Sequence, residues 1–185
     1  MNKLKRWAGQ VVVLGLMSGL PAAGVAAEVA AALPPLSHSL TKRTPKPAPA
    51  LKLRDLQGAA HDLSQLKGRV VLINFWATWC PPCRREMPSM ERLTQQLKGE
   101  DFSVLAVNVG ESANDIELFT SQLDTDLSFP ILLDRTSQSM QAWKISGLPT
   151  TYLVDKKGRV VAGAIGGREF DHLDMVRAIR AVLKQ

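Results

Sequence analysis

Asn74-Phe75-Trp76-Ala77-Thr78-Trp79-Cys80-Pro81-Pro82-Cys83 is the stretch on which the reading of this chain turns. It holds both cysteines of the 185 residues and two of the four tryptophans. An apolar run, Val70 to Phe75, leads into it, which marks a strand buried on both faces. Cys83, Met87, Met90, Leu93 and Leu97 follow at spacings of three and four, which predicts a helix from about Pro81 to Lys98, stopped by Gly99 and kinked at Pro88. A strand that delivers a Cys-x-x-Cys pair to the first turn of a helix is a redox arrangement.

The spacing serves that chemistry. With Cys80 as N-cap, Pro81 takes the first helical position, where a missing N–H costs nothing. Cys83 then lies one turn in, on the same face. Unpaired N–H groups and the positive end of the helix favour a thiolate at Cys80, the attacking species in exchange. Cys80 is thus expected to be the exposed nucleophile and Cys83 the buried resolving thiol. Pro81 and Pro82 carry no N–H, so two donors that could stabilise the Cys80 thiolate are absent. A less stabilised thiolate makes a more reducing pair. Arg84 and Arg85 act in the opposite direction.

Other uses of two cysteines fit less well. A zinc site would need two further ligands, and His38, His61 and His172 are scattered along the chain, so no metal is expected. A purely structural disulfide across two residues closes too small a loop to be a useful staple. Glu86 sits in the first turns of the helix. It reads equally as a charge favoured by the dipole and as a carboxylate exchanging protons with the cysteine pair.

Composition bounds the rest to one globular domain with extensions. Lys3, Lys5 and Arg6, the apolar run Val11 to Met17, and a small-residue tract ending Val25-Ala26-Ala27 form the three parts of a secretory signal over residues 1–27. Its apolar core is short for a membrane span, and an uncleaved anchor is the alternative to cleavage. Removing the three basic residues lowers the net charge from +6 to +3, too little for a nucleic-acid partner. Residues 28–50 hold five of the 11 prolines and read as an extended linker. The domain proper is expected over 51–185.

Within it, Leu51 to Leu56 alternates up to a turn at Gly58, a short hairpin. Asp62 caps a helical turn over Leu63 to Leu66. Phe102 to Val109 is a second buried strand. Ser112 caps a helix through Phe119 to Leu123. Pro130 to Leu133 is a short strand or edge segment, and Ser139 to Trp143 a brief helix. Tyr152-Leu153-Val154 and Val160-Val161-Ala162 flank a turn at Asp155 to Arg159. Phe170 to Leu183 closes the chain as a helix with Leu173, Val176, Ile179 and Leu183 on one face. This order predicts an α/β domain, a mixed sheet with helices on both faces.

Phe75 to Pro88, together with Gly147-Leu148-Pro149-Thr150, resembles the thioredoxin superfamily. More narrowly it is similar to the exported TlpA/ResA-like thiol–disulfide oxidoreductases, from about Leu51 to the end. The resemblance implies a thioredoxin fold with an N-terminal hairpin and a central insertion around Ser112 to Pro130. It implies a cis Leu148–Pro149 peptide facing the cysteines, in keeping with the general confinement of cis bonds to X-Pro. It further implies Cys80, Cys83 and Glu86 as catalytic residues, and Trp79, Pro81, Leu148, Pro149 and Thr150 as the substrate-facing set. No cofactor is implied beyond the Cys80–Cys83 pair itself.

The implied partners are protein disulfide or dithiol clients, such as apocytochrome c cysteines or those of copper-handling proteins, and a membrane electron donor of the DsbD/CcdA type. The implied location is the periplasm. Asn74 stands where many cytosolic thioredoxins carry a buried Asp. An Asn shuttles no protons, which leaves Glu86 as the nearest candidate, while Asn74 itself could simply satisfy buried backbone groups. Three alternatives use the same cysteines: a disulfide-donating oxidase, a copper carrier, and a thiol peroxidase. The last fits poorly, because the Thr usual three residues before the reactive Cys is Ala77 here.

Overall fold

The computed structural model describes residues 35–185, and the expected signal segment lies outside the described residues. An eight-stranded sheet forms the centre, in the order β1-β8-β7-β4-β5-β6-β2-β3. Its strands are β1 (Thr41–Pro47), β2 (Lys52–Asp55), β3 (Ala60–Asp62), β4 (Val70–Trp76), β5 (Phe102–Val109), β6 (Ile131–Asp134), β7 (Thr150–Val154) and β8 (Arg159–Ile165). The helices are α1 (Pro81–Gln96), α2 (Ala113–Thr120), α3 (Gln138–Ala142) and α4 (Leu173–Leu183), with a single 3₁₀ turn at Leu63–Leu66.

β4 is buried at every position, as its unbroken apolar run requires. It pairs in parallel with β5 and antiparallel with β7. Alternation sorts its side chains. Val70, Leu72 and Trp76 pack with Met87, Met90 and Leu93 of α1, with Ile116 and Phe119 of α2, and with Met175, Val176 and Ile179 of α4. Val71, Ile73 and Phe75 point the other way, into a cluster with Leu63, Leu105, Val107 and Trp143. Asn74 therefore belongs to the α1 face, the one polar residue in the strand and fully buried.

Several boundaries follow local chemistry. Asp62 accepts from the Ser64 N–H and caps the 3₁₀ turn. Ser112 and Asp115 form a reciprocal capping box at α2. α1 stops at Gln96 with Leu97 as its C-cap, short of the expected Lys98, and Gly99, at φ +88°, turns the chain two residues later. Pro88 lies inside that helix.

Three expectations are corrected. The tract read as a free linker over 28–50 is in part built into the sheet. β1 pairs antiparallel with β8, and an isolated bridge joins Ser37 to Arg168. Every β1 side chain is exposed, so the strand is held by backbone pairing, not by the apolar burial that sequence pattern reveals. Its prolines are tolerated because it is an edge strand, and its register shifts between Lys42 and Lys46. β6, read as an edge candidate, is interior, because β2 folds across and pairs with it. Leu173 is exposed, and the buried face of α4 instead begins with Met175.

Gly163 locks β1 and β7 against β8. A Cβ there would come within 2.7 Å of Tyr152 Cδ1 and 2.9 Å of the Thr151 carbonyl oxygen. Gly163→Ala should destabilise the fold by about 1–3 kcal/mol through overpacking, read from urea unfolding midpoints. A variant as stable as the parent would contradict this packing.

Candidate active site

Cys80 is the N-cap of α1, in an extended conformation, followed by Pro81 and Pro82 at the first two helical positions. A disulfide joins Cys80 to Cys83, with Cα atoms 5.3 Å apart. The expected contrast in exposure is small in this oxidised state. Cys83 is fully buried, but Cys80 is only 4% exposed. Trp79 beside it is 67% exposed and Pro81 is exposed, so an apolar shoulder stands open next to the sulfurs.

The loop before the disulfide is held by a carboxylate that sequence reasoning missed. Glu111, just past β5, accepts from the Thr78 N–H at 2.7 Å and from the Thr78 hydroxyl. Asn108 Nδ2 also donates to Glu111, at 2.7 Å. Such charge-assisted bonds are stronger than neutral ones and fix the turn two residues ahead of Cys80. Nothing local in the sequence signals this pairing. It arises because β4 and β5 are parallel neighbours whose C-terminal ends sit side by side.

The Leu148–Pro149 peptide is cis. Phe75 pairs with Thr150, so Pro149 lies just beyond the register at the end of β4 from which the cysteine loop departs. The Pro149 carbonyl accepts from the Gly166 N–H at 2.8 Å. Gly167 in turn fits against Pro82, where a Cβ would come within 3.2 Å of both the Pro82 Cβ and its carbonyl oxygen. The cis-proline loop, the 166–168 loop and the Pro-Pro turn therefore form one continuous surface around the disulfide. Leu148 is half-buried and Pro149 buried. Thr150 departs from its expected substrate-facing place. It is buried, and its hydroxyl donates to the Gly147 carbonyl, so it shapes the loop.

Glu86 lies one turn beyond Cys83 on the same helix face. It is fully buried. Oε1 accepts from Asn74 Nδ2 at 2.7 Å and Oε2 from the Arg168 N–H at 2.8 Å. Burial pushes its pKa from 4.5 up to about 8. The two hydrogen bonds and the nearby Arg168 charge offset only part of that desolvation. Asn74 also donates to Thr151 Oγ1 at 3.1 Å. Its role is thus to orient a carboxylate, not to satisfy backbone groups. The parity of β4 places Asn74 on the face of α1 and could have suggested this. The Arg168 amide comes from a distant loop and could not.

The AhpC/TSA family profile matches residues 44–162. The chain belongs to the AhpC/TSA family. This family member carries a thioredoxin-like fold and is a thiol–disulfide oxidoreductase. It is 41% identical over 134 residues to the thiol-disulfide oxidoreductase ResA of Geobacillus kaustophilus, covering 70% of this chain and 76% of that one. It is 40% identical to ResA of Bacillus subtilis over 119 residues, 64% of this chain and 65% of the other. Among solved structures, a thiol:disulfide interchange protein DsbE from Chlorobium tepidum aligns with a TM-score of 0.69 at 32% identity, covering 78% of this chain and 99% of that one. The peroxidase reading is not the one these relatives carry.

Two measurements check the site. Between pH 4.5 and about 8 the folded chain holds a proton on Glu86 that the unfolded chain has released, so raising pH through this window weakens the fold. Glu86→Gln should remove that slope, so that the variant gains on the parent between pH 5 and pH 9 in urea unfolding. Parallel pH profiles would refute the raised pKa. Glu111→Ala should slow disulfide reduction by about tenfold or more in stopped-flow assays, since the Cys80 loop loses its anchor. Glu111→Gln, which still accepts from the Thr78 N–H, should recover most of that loss.

Proposed function

We propose that the chain is an exported reductase of protein disulfides, acting on cysteines of apocytochrome c or of copper-site proteins. The observation that carries the direction is the Pro81-Pro82 pair at the first two positions of α1. Neither offers an N–H to the Cys80 sulfur, so the thiolate is less stabilised than in a helix with ordinary residues there, and the dithiol is the stronger reductant. The ResA relatives and the DsbE-type structure support the same assignment.

In the reaction, the Cys80 thiolate attacks a client disulfide. An S–S bond forms between Cys80 and the client while the client's own S–S bond breaks, releasing one client thiolate, which takes up a proton. Cys83, as thiolate, then attacks Cys80 Sγ and expels the second client thiolate. The client gains two electrons and the Cys80–Cys83 pair loses two. Cys83 is buried and must lose its proton before attack. Glu86, one turn away with its pKa raised to about 8, is placed to accept it in its ionised fraction and, once protonated, to return it when the disulfide is reopened. Trp79, Pro81 and the cis-proline loop with Leu148 present the surface on which an extended client segment would lie, while Thr150 supports that loop from beneath. Restoring the dithiol in an oxidising compartment calls for a membrane electron donor of the DsbD/CcdA type.

No helix among the described residues is long and apolar enough to cross a membrane. Periplasmic placement, with or without an N-terminal anchor, rests on the leader-like residues 1–27.

Cys83→Ala, expressed in the native host, should accumulate mixed disulfides on Cys80 with client proteins. Cys80→Ser should abolish reduction. The midpoint potential of the wild-type pair should lie nearer to thioredoxin's value of about −270 mV than to DsbA's of about −120 mV. A value near the latter would reverse the direction to disulfide donation.

A further inference from the structure

Two of the three histidines, far apart in the chain, meet at the start of α4. The rings of His38 and His172 have centroids 3.9 Å apart. His38 Nε2 is 3.9 Å from Asp174 Oδ2, and His172 Nδ1 is 3.6 Å from the same oxygen. One ligand atom from each residue lies within 4.8 Å of the others. All three side chains reach solvent. We propose that His38, His172 and Asp174 bind a divalent transition-metal ion of the Zn²⁺ or Cu²⁺ class, which clips residues 36–39 onto the start of α4, next to the 166–169 loop beside the active site.

The donor set selects the ion. Two imidazoles and one carboxylate suit zinc, copper or nickel, whereas magnesium and calcium favour all-oxygen sites. Three protein ligands leave a coordination position for water. With bonds of about 2.1 Å, ligand atoms across a tetrahedral ion sit roughly 3.4 Å apart, so the cluster must contract by about 1 Å. Exposed side chains can make that adjustment by small torsional changes.

The backbones beneath the ligands are already held. Ser37 N–H donates to the Gly167 carbonyl at 3.2 Å, and Glu169 N–H donates to the Ser37 carbonyl at 2.7 Å. Arg168 Nε donates to the Ser39 carbonyl at 2.9 Å. His38 is therefore fixed from both sides. His172 is the N-cap of α4, its Nδ1 accepting from the Asp174 N–H at 3.3 Å, a bond given up if the ion takes Nδ1 and kept if the ring presents Nε2. The backbone ordering that binding requires is thus already in place, and the cost that remains is that of fixing three exposed side chains.

Two features oppose the ion. The positive end of α4 disfavours a cation, and Arg177 Nη1 stands 3.7 Å from Asp174 Oδ1. The Asp174 carboxylate offsets the first, and its release from Arg177 would strengthen the site. The consequence for the enzyme is geometric. Residues 37–39, once fixed by the ion, hydrogen-bond the 166–169 loop that supplies the Arg168 N–H to Glu86, so a bound ion braces one of the two hydrogen bonds on that carboxylate.

The test uses the full untagged chain in its disulfide form, in which neither thiol can bind metal, titrated with ZnCl₂ and with CuSO₄ by calorimetry. One ion per chain is expected. His38→Ala, His172→Ala and Asp174→Ala should each weaken it by about tenfold or more, and His61→Ala should leave it unchanged. Arg177→Ala should tighten it about two- to fivefold. On metal addition, amide exchange should slow at Ser37 and Glu169. Absence of binding by either ion, or binding of full strength in the His38→Ala chain, would overturn the proposal.

Discussion

A buried carboxylate is the constraint around which this structure is arranged. Glu86 has no access to water and must find its hydrogen bonds inside the protein, because an unpaired buried carboxylate is among the costliest groups a fold can carry. Three separate elements meet to supply them. α1 brings the carboxylate, β4 brings the Asn74 amide, and the 166–168 loop brings the Arg168 N–H. Each of those elements also forms part of the wall around the Cys80–Cys83 disulfide. Holding the acid and shaping the redox site are therefore the same structural event.

The incomplete compensation of that charge is itself useful. Two hydrogen bonds and a nearby guanidinium do not fully replace water, so Glu86 stays protonated up to about pH 8. In the proposed reaction that group exchanges its proton with Cys83, which has no solvent to exchange with. Glu111 works differently. It is half-exposed, collects donors from Thr78 and Asn108, and contributes rigidity to the turn before Cys80. One acid lies buried one turn from Cys83, and the other fixes the chain that carries Cys80.

Much of this was legible before any coordinates. The apolar run Val70 to Phe75, the Pro-Pro turn and the three- and four-residue spacing after Cys83 are local signals, each set by burial or backbone geometry within about a dozen residues. They yielded β4, the N-cap cysteine and α1. The Gly147-Leu148-Pro149 segment carried its cis bond in its resemblance to known relatives. β1 was hidden because it buries no side chain. Its stability comes from backbone pairing to β8, and hydropathy is blind to that. Thr150 was misplaced for a related reason. The resemblance set it in the substrate-facing loop, whereas its pairing opposite Phe75 draws it into the sheet.

The amino-acid sequence by itself determined the reactive pair, its place at a helix start and the fold class, because these depend on short-range periodicity and on residues with singular chemistry. Tertiary structure alone decided which polar groups complete the site. Asn74 meets Glu86 through strand parity, Glu111 reaches Thr78 through parallel strand pairing, and Arg168 reaches Glu86 through the loop that follows β8. The last two join positions 33 and 82 residues apart, and the first spans 12. Strand parity hints at the first, whereas no local pattern encodes the other two, since they exist only once the sheet has brought its strands and loops together.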